Sequence, residues 1–217
     1  MQVVSGLVGK TKVHFEVPPS PRVPNEMNAF IRWFNSTGPG GKQAIKLAAV
    51  RAAIAHLYFE SIHPFEDGNG RIGRALSEKA LSQGLGYPAL LSLSKSIEAN
   101  RKKYYDALKA AQRANEISDW IAYFVHTVLE AQTDAENQID FVLKKTKFFD
   151  HFASQLDERQ TKVIRRMLEE GPQGFAGGMN ATKYIGITGV SKATATRDLQ
   201  HLQDIGILRR VGSGCWF

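Results

Sequence analysis

Cysteine occurs once in this 217-residue chain, at Cys215. A single thiol excludes an internal disulfide and suits a reducing compartment. No thiol-activating residues surround Cys215, so beside Trp216 and Phe217 it reads as a half-buried residue, not a nucleophile. No run of apolar residues approaches the ~18 that a membrane-crossing helix requires. The N-terminus also lacks the basic stretch and apolar core of a secretory signal. The expectation is therefore a soluble, cytoplasmic protein with no membrane partner. Neither internal repeats nor low-complexity runs occur. Acidic residues are in deficit, 21 against 28 Lys and Arg, and the net charge of +7 favours anionic partners such as nucleotides or nucleic acid. A hydrophobic content of 43% allows a core, and the length allows one large domain or two small ones.

The order of patterns predicts a mainly α protein in two domains, residues 1–145 and 151–217. Val3-Val4 and Val13-His14-Phe15 read as a short β-hairpin with Gly6 and Gly9 available for turns. Pro18, Pro19, Pro21 and Pro24 predict an extended linker that ends at a helix signal, Asn25. Met27, Phe30, Ile31 and Phe34 then share one helical face, and "STGPGGK" breaks the helix. A helix over roughly 43–61 carries Leu47, Val50, Ile54, Leu57 and Tyr58, apolar nearly all round and hence central. His56 on it reads as a packed histidine. After Gly70 a further helix turns Ile72, Leu76, Ala80 and Leu81 inward, ended by Gly84 and Gly86. "SLSKSIEANRKKYYDALKAAQRA" and "ISDWIAYFVHTVLEAQTDAENQIDFVLKKT" each predict one more amphipathic helix, and composition shifts near Lys144 to His151. Beyond it come a helix with Val163, Ile164, Met167 and Leu168 inward, a short helix in "NATKYIGITG", and a third capped by Ser191 with Ala195, Leu199 and Leu202 inward. A final hairpin turns at Gly212-Ser213-Gly214. That is the order of a winged helix-turn-helix domain.

One stretch concentrates chemistry: "HPFEDGNGRIGR", residues His63 to Arg74. Glycines flanking Asn69 at the first turn of a helix let backbone N–H groups approach a ligand, and a helix N-terminus favours phosphate. Arg71 and Arg74, three residues apart, can both reach back toward a polyphosphate. The lysine and Ser/Thr of a Walker loop are absent. Asp67 beside a phosphate cradle calls for a divalent cation between them, so it is the candidate Mg²⁺ ligand. His63 has the proton affinity of a general base near neutral pH. Phe65 reads as the anchor of the loop in the core. Base, metal, cradle and cations are the parts that move a phosphoryl or nucleotidyl group onto a hydroxyl.

This stretch resembles the Fic family signature H-x-F-x-[DE]-G-N-G-R-x-x-R at every fixed position, and the likeness extends over about residues 2 to 145. Doc-type kinases of related sequence carry an alanine and a lysine where this chain has Gly68 and Gly70. The resemblance implies a Fic-type helical bundle with a hairpin flap, and transfer of AMP from ATP to a Ser, Thr or Tyr hydroxyl of a protein. By that likeness His63 is the base and Asp67 holds Mg²⁺. Asn69 and the loop N–H groups stabilise the transferred phosphate, while Arg71 and Arg74 hold the outer phosphates. It further implies nucleotide contacts from Phe65, Gly68, Gly70, Asn100, Tyr104 and Tyr105, core packing being as good a reading for the two tyrosines. Val4, Ser5, Gly6, Leu7 and Val8 would form the flap that docks the target by strand addition.

Many family members carry an inhibitory helix, [ST]-x-x-x-E-[GN], whose glutamate pairs with the second arginine. "SKSIEA" and "SQLDER" have the spacing but not the last residue. The chain begins inside the flap, so a fragment of a longer protein is expected, with Arg74 unrestrained. In the second domain Lys192, Thr194, Thr196, Arg197 and Gln200 are candidate DNA contacts. Residues 151–217 hold nine Lys or Arg against six Asp or Glu, a net charge of +3 that serves a protein-docking module equally well. Expected partners are a target protein, the enzyme itself as such a target, DNA at residues 151–217, and a second copy of the chain. Two other functions stay open: a DNA-binding regulator whose Fic portion senses nucleotide, and removal of AMP from modified proteins.

Overall fold

The computed structural model describes residues 2–5, 12–211 and 215–216. Strand β1 (Gln2–Ser5) pairs antiparallel with β2 (Lys12–Glu16), with a register irregularity between Val3 and Val4. Gly6, Leu7, Val8 and Gly9 lie outside the described residues, as does the turn at Gly212 to Gly214. Nine helices are described: α1 (Val23–Ser36), α2 (Ala48–Ile62), α3 (Asn69–Leu85), α4 (Leu93–Ala99), α5 (Arg101–Ala111), α6 (Ser118–Phe152), α7 (Glu158–Leu168), α8 (Ala181–Thr188) and α9 (Lys192–Asp204). Strands β3 (Arg210–Val211) and β4 (Cys215–Trp216) pair antiparallel. Among the described residues no helix is long and apolar enough to cross a membrane. The chain divides into two compact units, Met1–Ala135 and Glu136–Phe217.

The first unit is built around α2, which buries nine of its fifteen residues. It can do so because its neighbour α3 offers small residues on one side: Gly73, Ser77, Ala80 and Gly84 recur every three or four positions. A β-carbon at Gly84 would come 2.5 Å from the Ala48 β-carbon, so the two helices are in contact there. On the other side Phe30 and Trp33 of α1 meet Tyr58 at ring distances of 5.3 and 5.8 Å. Arg51, 1% exposed, joins the three helices. Its guanidinium donates to the Phe34 carbonyl at 2.8 Å, to Gln83 Oε1 at 3.0 Å and to Thr37 Oγ1 at 3.3 Å. A cation at the C-terminus of α1 also suits that helix's dipole. Trp120 of α6 donates to the Ala53 carbonyl at 2.8 Å and stacks on His56.

Several sequence expectations shift. Helix α1 starts at Val23 and runs through Asn25, because Pro24 fits a helix's first turn, and a 3₁₀ turn over Ser20–Arg22 replaces extended linker. Ile31 is 49% exposed, since α1 turns Trp33 toward α2 instead. Helix α2 begins at Ala48, not near Gln43, and leaves Leu47 outside as its exposed N-cap. In α3 Ile72 faces solvent, Gly84 lies within the helix, and Gly86 is the left-handed cap. Asn100 breaks the expected single helix into α4 and α5 with φ −129° and ψ 43°.

The second unit packs Val163, Ile164, Met179, Tyr184, Ala195, Leu199, Leu202 and Leu208 into its own core. Asp157 caps α7 with a reciprocal capping box to Gln160, and Asn180 and Ser191 cap α8 and α9 through their side chains.

Candidate functional site

Helix α2 ends at His63 in the left-handed region, φ 49°, the one described non-glycine residue with positive φ. Its N–H still bonds the Phe59 carbonyl at 3.0 Å, so the ring is delivered by the last turn of a buried helix. A conformation that side chains rarely adopt is tolerated where surrounding structure fixes it, and such residues cluster at functional sites. Burial lowers the His63 pKa from its ordinary value, partly offset by a hydrogen bond to the Glu60 carbonyl. The imidazole is therefore neutral at pH 7 and can accept a proton.

The loop from Phe65 to Gly68 is held by Asn69, which is 3% exposed. Its side-chain amide donates to the Phe65 carbonyl at 2.6 Å and accepts from the Phe65 N–H at 3.0 Å. Gly68 caps α3 at φ 85°, a backbone that favours glycine, and the first-turn N–H groups of α3 have no intrahelical acceptor. Phe65 is 46% exposed, its ring 6.4 Å from that of Phe59, so the loop is clamped by Asn69 more than by a buried phenyl ring.

Asp67 accepts from the Gly68 N–H at 2.6 Å and from Arg71 at 3.1 Å, with carboxylate and guanidinium both open to solvent. An exposed pair of this kind contributes about 0–1 kcal/mol, so an arriving phosphate exchanges it readily. Among the described residues no three His, Cys, Asp or Glu side chains gather as metal ligands. One exposed carboxylate at a phosphate cradle fits an Mg²⁺ ion shared with nucleotide oxygens, the usual habit of that ion, and not one caged by protein alone. Arg74 donates through Nε to Ser94 Oγ at 2.8 Å. Glu98, the acid of "SKSIEA", lies beside Arg101 at 3.7 Å.

The candidate base-contacting residues separate. Asn100 and Tyr105 are exposed, whereas Tyr104 is 3% exposed with its hydroxyl 2.9 Å from His56 Nε2, in the core. Val4 and Ser5 lie on β1. Two residues that sequence reasoning passed over border the site. Glu60 is buried one turn before His63, and Gly73 opposes it, where a β-carbon would come 2.6 Å from Glu60 Oε1. The i, i+3 spacing of Glu60 and His63 was the available signal.

On α9, Lys192, Thr196, Arg197 and Gln200 are exposed and line an open depression with His201 and Asp204. Thr194 is partly buried and tied to the Ser191 cap at 3.0 Å. Asp198 points inward to the Tyr184 hydroxyl at 3.0 Å, which fixes the helix and its outward face.

A buried helix ending in a neutral histidine is followed by an open helix N-terminus and two arginines, groups whose chemistry suits an anion. Residues 3–81 match the Fic/DOC family. "Protein adenylyltransferase Fic" from Aedes aegypti is 35% identical over 137 residues, covering 62% of this chain and 24% of the relative. The protein of the same name from Drosophila virilis is 30% identical over 168 residues, covering 74% and 33%. A solved Fic family protein from Desulfovibrio desulfuricans G20 aligns with a TM-score of 0.48 and 20% identity, over 95% of this chain and 57% of that one. The chain spans between about a quarter and a third of the length of the curated relatives it matches.

Proposed function

We propose that this chain transfers AMP from ATP to a Ser, Thr or Tyr hydroxyl of a protein, releasing pyrophosphate. The observation that carries the reading is the pairing of a neutral, helix-delivered His63 with the open N-terminus of α3, which has Asp67 two residues before it and Arg71 in its first turn. Relatives named protein adenylyltransferase Fic support it.

In this reading the target hydroxyl oxygen bonds to the α-phosphorus, the bond to pyrophosphate breaks, and the hydroxyl proton passes to His63. Neutral His63 is ready to accept it. Asn69 holds the loop so that the first N–H groups of α3 face the transferred phosphate, a fixed dipole aimed at developing charge. Gly68 and Gly70 keep that face clear of β-carbons. Arg71 leaves Asp67 for the outer phosphates, and Arg74, oriented by Ser94, joins it. Asp67 is then free to hold Mg²⁺, which would neutralise phosphate charge. Phe65, Asn100 and Tyr105 offer exposed surface to the nucleoside, and the strand pair β1–β2 offers an edge to an extended target segment. Tyr104 acts beneath them as support. The chain itself is an accessible first target.

Incubation with ATP labelled at the α-phosphate tests this. Protein should become labelled, and His63→Ala should cut the rate by roughly 10²–10⁴-fold. Label arriving from the γ-phosphate instead would refute nucleotidyl transfer in favour of kinase chemistry.

A second reading concerns α9 alone. Its exposed Lys192, Thr196, Arg197 and Gln200 form a face suited to duplex DNA if residues 151–217 act as a winged helix. Salt-dependent duplex binding lost in Arg197→Ala would support it. Binding that ignores both salt and Arg197 would refute it.

A further inference from the structure

Glu60 has no role in the reaction as derived so far, yet it occupies a place that the fold keeps open for it. Its Oε1 is buried and has no hydrogen-bond partner. Its Oε2 lies 3.9 Å from His63 Nδ1. Across the helix interface Gly73 leaves the room for this carboxyl, and its nearest other neighbour there is the His56 ring.

The titratable groups that face Glu60 are His56 on its own helix, Arg74 on α3, Tyr104 on α5 and His63 itself. Three of them are engaged elsewhere. Ser77 gives its hydroxyl proton to the Gly73 carbonyl at 2.8 Å, so it accepts from His56 Nδ1 at 3.2 Å. His56 Nε2 is thereby an acceptor, and the Tyr104 hydroxyl donates to it. The Arg74 Nε–H goes to Ser94. The His63 ring also hydrogen-bonds the Glu60 carbonyl, and its Nδ1 is the remaining nitrogen within 4 Å of the carboxylate, so carbonyl and carboxylate lie on the same side of the imidazole.

We propose that Glu60 is a positioning residue for His63, its carboxylate holding the Nδ1–H tautomer so that Nε2 faces the incoming hydroxyl as proton acceptor. This rests on the adenylyl-transfer reading above. A distance of 3.9 Å is longer than a hydrogen bond, and a small rotation of both side chains closes it, as is common for catalytic pairs in unliganded proteins. The proton that leaves the hydroxyl reaches Nε2, and the imidazolium so formed is stabilised through Nδ1–H by Glu60. The site is also self-limiting. Burial pushes the Glu60 carboxyl up to about 7, against the pull of Arg74. Below that pH the protonated carboxyl displaces the Glu60 carbonyl and donates to Nδ1, the ring proton moves to Nε2, and the nitrogen facing the hydroxyl can no longer accept.

The test has two arms on the full chain. In the first, ¹⁵N NMR of the imidazoles follows His63 without nucleotide between pH 5.5 and 8.5. The wild type should hold the Nδ1–H tautomer at pH 8 and lose it through an inflection near 7, and Glu60→Gln should remove that inflection. A mixed tautomer at pH 8, or an inflection that survives in Glu60→Gln, overturns the proposal. In the second arm, the AMP-transfer rate of the wild type should rise with pH through about 7. Glu60→Gln should run about tenfold or more slower at pH 8, without that rise and with KM for ATP unchanged. Gly73→Ala, which crowds the carboxyl without altering it, should slow transfer in the same way. Equal rates and equal pH profiles in all three proteins overturn the proposal. A wild type that transfers no AMP refutes the function instead, and the tautomer arm still decides the role of Glu60.

Discussion

Replacing Glu60 with glutamine should change how stability depends on pH, in a direction set by two buried groups one turn apart on α2. Burial lifts the Glu60 carboxyl from 4.5 to about 7. Burial lowers the His56 imidazole from 6.5 to about 4, with a smaller opposing effect from the Gly73 carbonyl. Between about pH 4.5 and 7 the folded protein keeps a Glu60 proton that the unfolded chain has released. The stability this provides is complete below about 4.5 and is lost as pH rises through about 7. His56 acts oppositely. Its contribution is present above about 6.5 and is lost as pH falls through about 4, because the unfolded chain takes up a proton that the folded one refuses. Each displacement corresponds to about 3 kcal/mol. The two slopes oppose one another over the shared window and leave the wild type nearly flat there. Glu60→Gln removes one of them. The variant should match or exceed the wild type by up to about 3 kcal/mol at pH 8, where the wild type buries an unpaired charge. It should then lose about 3 kcal/mol as pH falls from about 6.5 toward 4, where the wild type loses little. Urea unfolding at pH steps, followed by tryptophan fluorescence in a Trp216→Phe background, confines the signal to Trp33 and Trp120 of the first unit. Parallel profiles for wild type and Glu60→Gln would refute the reasoning.

Gly84→Ala places a β-carbon 2.5 Å from that of Ala48. The crowding, about 1–3 kcal/mol, should outweigh the helix-propensity gain of about 1 kcal/mol and lower the first unit's thermal midpoint. Asp157→Ala removes the α7 capping box and should destabilise the second unit by about 1 kcal/mol, read by hydrogen exchange in α7; unchanged protection would count against the cap.

Local patterns carried the reading furthest where one element decides the outcome alone. The all-round apolar character of α2, the Ser191 cap and the inward positions Ala195, Leu199 and Leu202 follow from spacing and cap chemistry, and the structure places them so. Expectations failed where two elements decide together. Nothing in α1 by itself tells whether Ile31 or Trp33 turns inward; Tyr58 on the facing helix does. Asn100 sits mid-pattern in a continuous amphipathic run, and only the packing of α4 and α5 as separate segments exposes the break.

The candidate site divides along the same line. Its loop was legible because contiguous residues hold it together: Asn69 clamps Phe65 four residues away, and Asp67 meets Arg71 at the same spacing. Its floor was not. Glu60 and Gly73 lie thirteen residues apart on different helices, and each alone looks ordinary, a glutamate near a helix end and a glycine inside a helix. Their meaning lies in the contact: the glycine is needed because the carboxyl is there, and the carboxyl is unpaired because His56 and Tyr104 have satisfied one another. A fold optimised only for stability would fill that slot with an apolar side chain, at a gain of several kcal/mol. A buried carboxylate retained at this cost, one turn from the base, is best explained by what it does to His63.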